Sequence, residues 1–529
     1  MHNRPATRTL ITHILEQDRL KIVPFIALGV MLSVSSILGY KYVLPDTADR
    51  ENLAQTIMAN PAFNVIFGQA HDLTTIDGFN AWRTLALGSM FTALMAIFLV
   101  IRNTRGAEET GQAELIAALP IARTARLKAA LISAVIASLA VGVIVFTISV
   151  LVGGDVHATA LISAGYATSG IMFAGIAALA AQTASLTPTA TTLSLTLLGG
   201  AYALRGYADG SADHTWLIWV TPLGWIQETQ PAHLNRVWPL GLCLLLAAAT
   251  YATALLIERR RDYAGAALTQ RPGPEHAHNS QYLPVFLTRL NAPTFLGWTI
   301  SLALLGYLFG NIGITIGETL SKNPTMARVI ASGAVTENEL TAAFISMILS
   351  MLGMLAGLAG ISVLTRLYRE ETSHRLENVL SGAVTRTRYL AYTVLIALTS
   401  SALAILAAGG VIAFVSRGGQ ADVSSSDVIA QTAASIPAIW VLVALGILGV
   451  TAHSNAHWLG WLGVVVAFSV TMFGPMFQAP QWVMNISPFE HVPLMAAPSP
   501  DYTPLIGLGI VGVVLIAVSF IRFSHRDLA

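Results

Sequence analysis

The sequence predicts an all-α membrane protein of about twelve transmembrane helices, built as two parallel six-helix repeats. Three observations lead there. The 529 residues are 54% apolar and only 11% charged, with a mean hydropathy of +0.65, whereas soluble domains carry about 25% charged residues. Apolar runs of the roughly 20 residues that a helix needs to cross a bilayer recur along the whole length. The two halves also resemble each other at a near-constant offset.

Spans are expected near 22–42, 84–101, 128–152, 159–181, 187–206 and 238–257. A second set follows near 295–316, 341–364, 390–415, 428–451, 457–479 and 503–521. The first run is long and lacks a small-residue cleavage pattern, so it reads as a retained span rather than a cleaved leader. Arg and Lys sort the loops. With the N-terminus inside, the inner segments hold 21 of the 29 basic residues, among them Arg8, Arg102, Arg105, Arg123, Arg126, Arg261, Arg366, Arg386 and Arg526. The positive-inside bias places both termini in the cytoplasm of a plasma membrane.

The repeat is carried by local matches. EETGQAELIAALPIARTARL from Glu108 aligns with ETSHRLENVLSGAVTRTRYL from Glu371 at an offset of 263. That offset superposes Glu108 on Glu371, Glu114 on Glu377, Arg123 on Arg386 and Asn60-Pro61 on Asn323-Pro324. Thr221-Pro222 matches Ser487-Pro488, and Arg261-Asp262 matches Arg526-Asp527, at offsets of 266 and 265. The organisation expected is a first half over 1–262, a polar linker over 263–282 containing RPGPEHAHNSQ, and a second half over 283–529.

Charge and motif content exclude several classes. A net charge of +1 leaves no nucleic-acid footprint. The single Cys243 forms neither an internal disulfide nor a zinc cluster and reads as a small buried apolar residue. No Asp or Glu lies inside any expected span, and Asp427 sits at an edge. Lys41, Lys128 and Arg205 lie near span ends, where long side chains snorkel. A proton or sodium relay would need buried titratable groups. None of the four lysines follows glycine, so no phosphate-binding Gly-Lys-Ser/Thr loop is present. The chain is therefore expected to be a non-enzymatic subunit without a cofactor of its own.

The segment between the second and third spans of each half is the expected docking point for a partner, with coupling helices near 105–119 and 369–383. Leu376, Val379, Leu380 and Ala383 make one apolar helix face, and Ile116 and Ala117 hold two equivalent places. Pro120 should stop the first helix. Acids precede each face and an arginine follows it, an order that suits the helix dipole. The residues expected to transmit force are Glu108, Glu109, Glu114 and Arg123, with Glu370, Glu371, Glu377 and Arg386. A plain interfacial helix with solvated charges is the bland alternative.

Weaker signals surround these. Leu10, Ile11, Ile14 and Leu15, and later Leu283, Phe286, Leu287 and Leu290, form amphipathic segments before each half, suited either to helices lying in the membrane interface, as expected at the N-terminus, or to plain helical starts of the spans. Met347, Met351 and Met354, with Phe468, Met472 and Phe473, are candidates for a substrate pathway, though such stripes are commonly helix packing. Gly353 and Gly357 allow close helix approach. Scattered His276, His278, His453 and His457 lack metal-site spacing. Trp216, Trp219, Trp225 and Trp482 read as interfacial anchors.

EETGQAELIAALPIAR, its weaker copy EETSHRLENVLSGAVTR and the run Arg260-Arg261-Asp262 resemble the ABC-2 type exporter permeases, in particular the double-length group of polyketide-antibiotic and tetronasin-resistance-like exporters. The second copy departs from the pattern. Ser373-His374 stands where a glycine and a polar residue are usual, and Gly382-Ala383 replaces Leu119-Pro120, which implies that one coupling helix docks less tightly than the other. The resemblance implies a type V-like fold. It also implies two copies of a separate cytoplasmic ATPase carrying ATP and Mg, and bacterial export of hydrophobic drugs, antibiotics or lipids. A 6+6 ion-coupled secondary transporter and a non-transporting membrane partner of an ATPase are the alternatives.

Overall fold

The computed structural model describes residues 4–43, 46–59, 61–111, 114, 122–210, 212–261, 282–322, 337–382, 384–417, 424–452, 456–473, 480–497 and 500–525. They form two compact units, 1–273 and 274–529. Both are entirely helical among the described residues. The expected linker lies outside them, apart from Tyr282.

The first unit opens with α1 (Arg4–Val43), followed by the short α2 (Thr47–Ala59) and α3 (Pro61–Phe67). Next comes α4 (Ile76–Ile101), which runs on as a π-helix over Arg102–Gly106 and an α turn over Ala107–Glu109. Then follow α5 (Ala125–Leu151), α6 (Val156–Thr183), α7 (Thr187–Gly210), a 3-10 helix (Ala212–Trp219), α8 (Pro222–Gln227) and α9 (Trp238–Arg260). The second unit holds α10 (Leu283–Lys322), α11 (Glu337–Thr372), α12 (Arg375–Leu380), α13 (Arg386–Ser416), α14 (Ser425–Ala452), α15 (Leu459–Phe473), α16 (Gln481–Met484), a 3-10 helix (Pro488–His491) and α17 (Thr503–His525).

Ten helices among the described residues are long and apolar enough to cross a membrane, against the twelve expected. The shortfall falls on the fifth helix of each half. α7 carries Arg205 and Asp209 among many Thr and Gly residues, which lowers its apolarity. The described part of α15 holds 15 residues, and residues 474–479 of its expected span lie outside the described residues. The amphipathic starts are not separate helices. Each runs unbroken into the following span, through Pro24 in α1 and Pro293 in α10. Ile14 and Leu287 pack into the cores of their units.

Small residues set the packing distance inside each unit. A Cβ on Gly88 would lie 2.0 Å from Cζ of Tyr166, so α4 and α6 meet with that ring seated on bare backbone. In the second unit a Cβ on Gly353 would lie 2.7 Å from Phe489, and one on Gly460 would lie 2.8 Å from Cα of Gly446. Close approach of this kind supplies van der Waals contact where lipid removes the hydrophobic drive between helices. Cys243 is fully buried, as its apolar surroundings suggest.

Candidate functional site

The segment leaving α4 is a junction of buried charge. The π-helix widens the turn and brings Arg105 inward, where it is 2% exposed. Its Nε and Nη2 donate to the Ala181 carbonyl at 3.0 and 2.7 Å, near the C-terminal end of α6. A cation there complements the negative end of a helix dipole. Arg105 Nη1 donates to Glu108 Oε2 at 2.7 Å. Glu108 Oε1 accepts from Arg261 Nη2 at 2.7 Å, and also from Arg126 Nη2 at the start of α5. The Glu108 side chain is 4% exposed. Glu258 of α9, also buried, lies close enough to interact with Arg126 and Arg261. A buried acid of this kind requires paired cations, because an isolated charge is driven out of a low-dielectric interior.

Neighbouring residues extend the junction. The Thr187 backbone N–H, at the first turn of α7, donates to Glu109 Oε2 at 3.2 Å. Asp18 of α1, 1% exposed, accepts from Asn103 Nδ2 at 2.8 Å and from Lys21 at 3.2 Å, and pairs with Arg102. The segment beyond α4 thus bonds to α1, α5, α6, α7 and the end of α9. Gly111 then turns the chain with φ +74, a conformation glycine adopts without a Cβ penalty. Glu114 and Arg123 are exposed. Leu115 to Ile121, with the expected apolar face and Pro120, lie outside the described residues.

The matching segment of the second unit is built differently. α11 stays α-helical to Thr372. His374 turns the chain at φ 56, and α12 follows. Leu376 is 1% exposed and Val379 and Leu380 pack partly against the core, so the expected apolar face exists. Ala383 lies outside the described residues. Glu371 is 3% exposed, Glu370 pairs with Arg366 at 3.6 Å, and Glu377 meets His374 at 2.9 Å with both side chains in the open. Arg386 is exposed at the first turn of α13. The matched pair Glu108 and Glu371 is therefore turned inward in both units, while Glu109, Glu114, Arg123, Glu377 and Arg386 are exposed.

The pathway candidates are scattered. Met354 is 1% exposed in the core, Met347 and Met351 are half-buried, and Phe468 is exposed. The side chains of Met472 and Phe473 lie outside the described residues.

Sequence reasoning misplaced one cation. Arg205, expected to snorkel, is 1% exposed. Its Nη2 donates to the Val65 and Ile66 carbonyls of α3, both at 2.9 Å, and its Nη1 to Gln227 Oε1 at 3.0 Å. Asp209, one turn on, pairs with it at 3.4 Å, and its guanidinium lies 4.4 Å from the Tyr202 ring centre. Snorkelling loses here because two carbonyls at the C-terminal end of α3 and a carboxylate replace water. The signal was the i, i+4 spacing of Arg205 and Asp209. Arg105 and Arg126 had signalled only orientation and Arg261 also the repeat and the resemblance, and Glu258 beside Arg259, Arg260 and Arg261 was the readable hint of a buried cluster.

Two comparisons bear on identity. Residues 285–524 match the family described as the C-terminal domain of the multidrug efflux system permease Rv1217c. The chain is 32% identical to the multidrug efflux system permease protein Rv1217c of Mycobacterium tuberculosis (strain ATCC 25618 / H37Rv), over 99% of its own length and 95% of that protein. Long apolar helices and a full-length relative together make this a multi-pass membrane transport permease, and the chain belongs to the multidrug efflux system permease family.

Proposed function

We propose that this permease is the membrane subunit of an ATP-driven exporter, energised by two copies of a separate cytoplasmic ATPase that bind ATP and Mg. Its cargo would be hydrophobic drugs, antibiotics or lipids, moved out of a bacterial plasma membrane with both chain termini in the cytoplasm. The reading rests most on one observation. Each unit places a short acidic segment between its second and third long helices, and these segments leave Glu109, Glu114, Glu377 and Arg386 exposed for a partner. The lack of a Gly-Lys-Ser/Thr loop fits an ATPase on another chain.

Closure of the ATPases on ATP would pull on both segments, and differential binding of the closed state would shift the permease between conformations. The test is reconstitution in lipid vesicles with and without the ATPase. ATP-dependent accumulation of a hydrophobic dye is expected only with both chains present. Uphill transport by this chain alone on a proton or sodium gradient would replace the reading with an ion-coupled carrier.

A further inference from the structure

The cations where α5 begins and α9 ends fall into two sets. Arg126 in the first turn of α5 and Arg261 just past α9 both turn inward and share Oε1 of Glu108. That one carboxylate oxygen draws the two helix ends together. Lys128, two residues further along α5, and Arg259 and Arg260, the last two residues of α9, are exposed instead. None of these three pairs with an acid among the described residues. Glu108 is already taken by the inward set, and Glu258 is buried.

Helical register decides where the outward set lies. On α5, Lys128 is followed by the exposed Ile132, Ile136, Leu139 and Val143, spaced by three or four residues, so one apolar stripe runs along the helix with Lys128 at its end. On α9 the exposed Leu245, Ala249, Ala252 and Leu256 lead in the same way to Arg259 and Arg260. The positive-inside bias accounts for cations in the loops on one side of a membrane. It does not require them on the spanning helices themselves, in phase with an exposed apolar stripe. A cation in that phase sits where acyl chains give way to headgroups, with its aliphatic stem along the chains and its charge at the level of the phosphates. Three such cations from two adjoining helix ends call for an anionic occupant with an apolar tail.

We propose that Lys128, Arg259 and Arg260 bind the phosphate of an anionic phospholipid beside the coupling junction, with the two apolar stripes against its acyl chains. The site rests on the spanning helices alone and not on the exporter reading. The lipid is a resident of the leaflet on the junction side, distinct from any cargo.

The test is native mass spectrometry of the purified full chain, with phosphatidylglycerol or phosphatidylethanolamine of the same acyl chains added to the detergent. Phosphatidylglycerol is expected to bind at least about tenfold more tightly. Lys128→Gln/Arg259→Gln/Arg260→Gln should abolish that preference, and the charge-conserving Lys128→Arg/Arg259→Lys/Arg260→Lys should keep most of it. Arg388→Gln/Arg522→Gln, at exposed cations of the second unit, should leave it in place. Excess inorganic phosphate should not displace the lipid, because the stripes hold its chains. Equal binding of the two lipids by the unmodified chain overturns the proposal however the variants fold. So does a preference that survives the triple glutamine variant, which would assign these cations to a protein partner, an equal loss in the second-unit variant, or displacement by phosphate.

Discussion

Glu108 Oε1 and Arg261 Nη2 lie 2.7 Å apart across 153 residues of sequence, joining the end of the second long helix to the end of the sixth. Arg126 and Arg105 share the same carboxylate. Removing the acid leaves three cations crowded at one place with Glu258 as the acid left beside Arg126 and Arg261. Glu108→Ala should therefore lower stability by about 3–5 kcal/mol, the usual cost of breaking a buried pair from one side. Glu114→Ala, at an exposed position, should stay within about 0.5 kcal/mol. Thermal unfolding of both variants in the same detergent checks the contrast, and equal midpoints would contradict it.

Arg205 makes a second prediction on its own. Its guanidinium reaches two carbonyls, a glutamine oxygen and a carboxylate from one planar group. A lysine ammonium is a point charge on a flexible stem and cannot hold that fork. Arg205→Lys should consequently recover less than half of what Arg205→Met loses, with the loss again about 3–5 kcal/mol. The double variant Arg205→Met/Asp209→Leu should be more stable than Arg205→Met alone, since it also removes the acid left without its cation. A double-mutant cycle on unfolding midpoints reads the coupling directly.

How much of this was legible follows from what each feature depends on. Long helices with uncharged centres depend on local composition, so the run from Ala125 to Leu151 or from Arg386 to Ser416 could be read directly. The apolar face at Leu376 depends on helical periodicity and was legible for the same reason. Arg105, Glu108 and Arg261 depend on three elements meeting, and a single sequence carries no record of that meeting. The π-helix over Arg102–Gly106 was illegible because the inward setting of Arg105, bonded to the Ala181 carbonyl 76 residues away, leaves no local pattern in the sequence. The continuity of α1 and α10 was only one of two readings the sequence left open, because amphipathic and apolar stretches with different periodicity share one helix, so the pattern changes while the backbone does not.

Gly88 and Gly241 should respond oppositely to alanine. At Gly88 the new Cβ would overlap the Tyr166 ring, which is fully buried and donates its hydroxyl to the Thr84 carbonyl at 3.0 Å. The ring has nowhere to retreat, so Gly88→Ala should cost about 1–3 kcal/mol through overpacking. At Gly241 a Cβ meets open space on the face of α9, and the gain in helix propensity should add about 0.5–1 kcal/mol. Unfolding midpoints moving in the same direction for both would refute the packing argument.

His71 and His233 stack with ring centres 5.3 Å apart and planes 5° from parallel, at the end of the first unit away from the coupling junction. The loop that carries His233 is tightly wound, with Gln230, Ala232 and Asn235 all at positive φ and Arg236 N–H bonded to the Thr229 carbonyl at 2.8 Å. Burial, then the neighbouring His233 and Arg236, holds His71 below its ordinary value of 6.5. Glu228 pairs with Arg236 at 3.6 Å, and Asp72 is bonded by Thr74 and Thr75. The unfolded chain therefore takes up a proton before the folded one does. Stability from the stack is complete above the unfolded value and is lost as pH falls from there through the lowered folded value. Protection against amide exchange across 228–236, taken relative to the intrinsic rate at each pH, should fall as pH drops from about 7.5 to about 5, and His71→Gln should remove that fall. A pH response that survives His71→Gln unchanged would move its origin to another group.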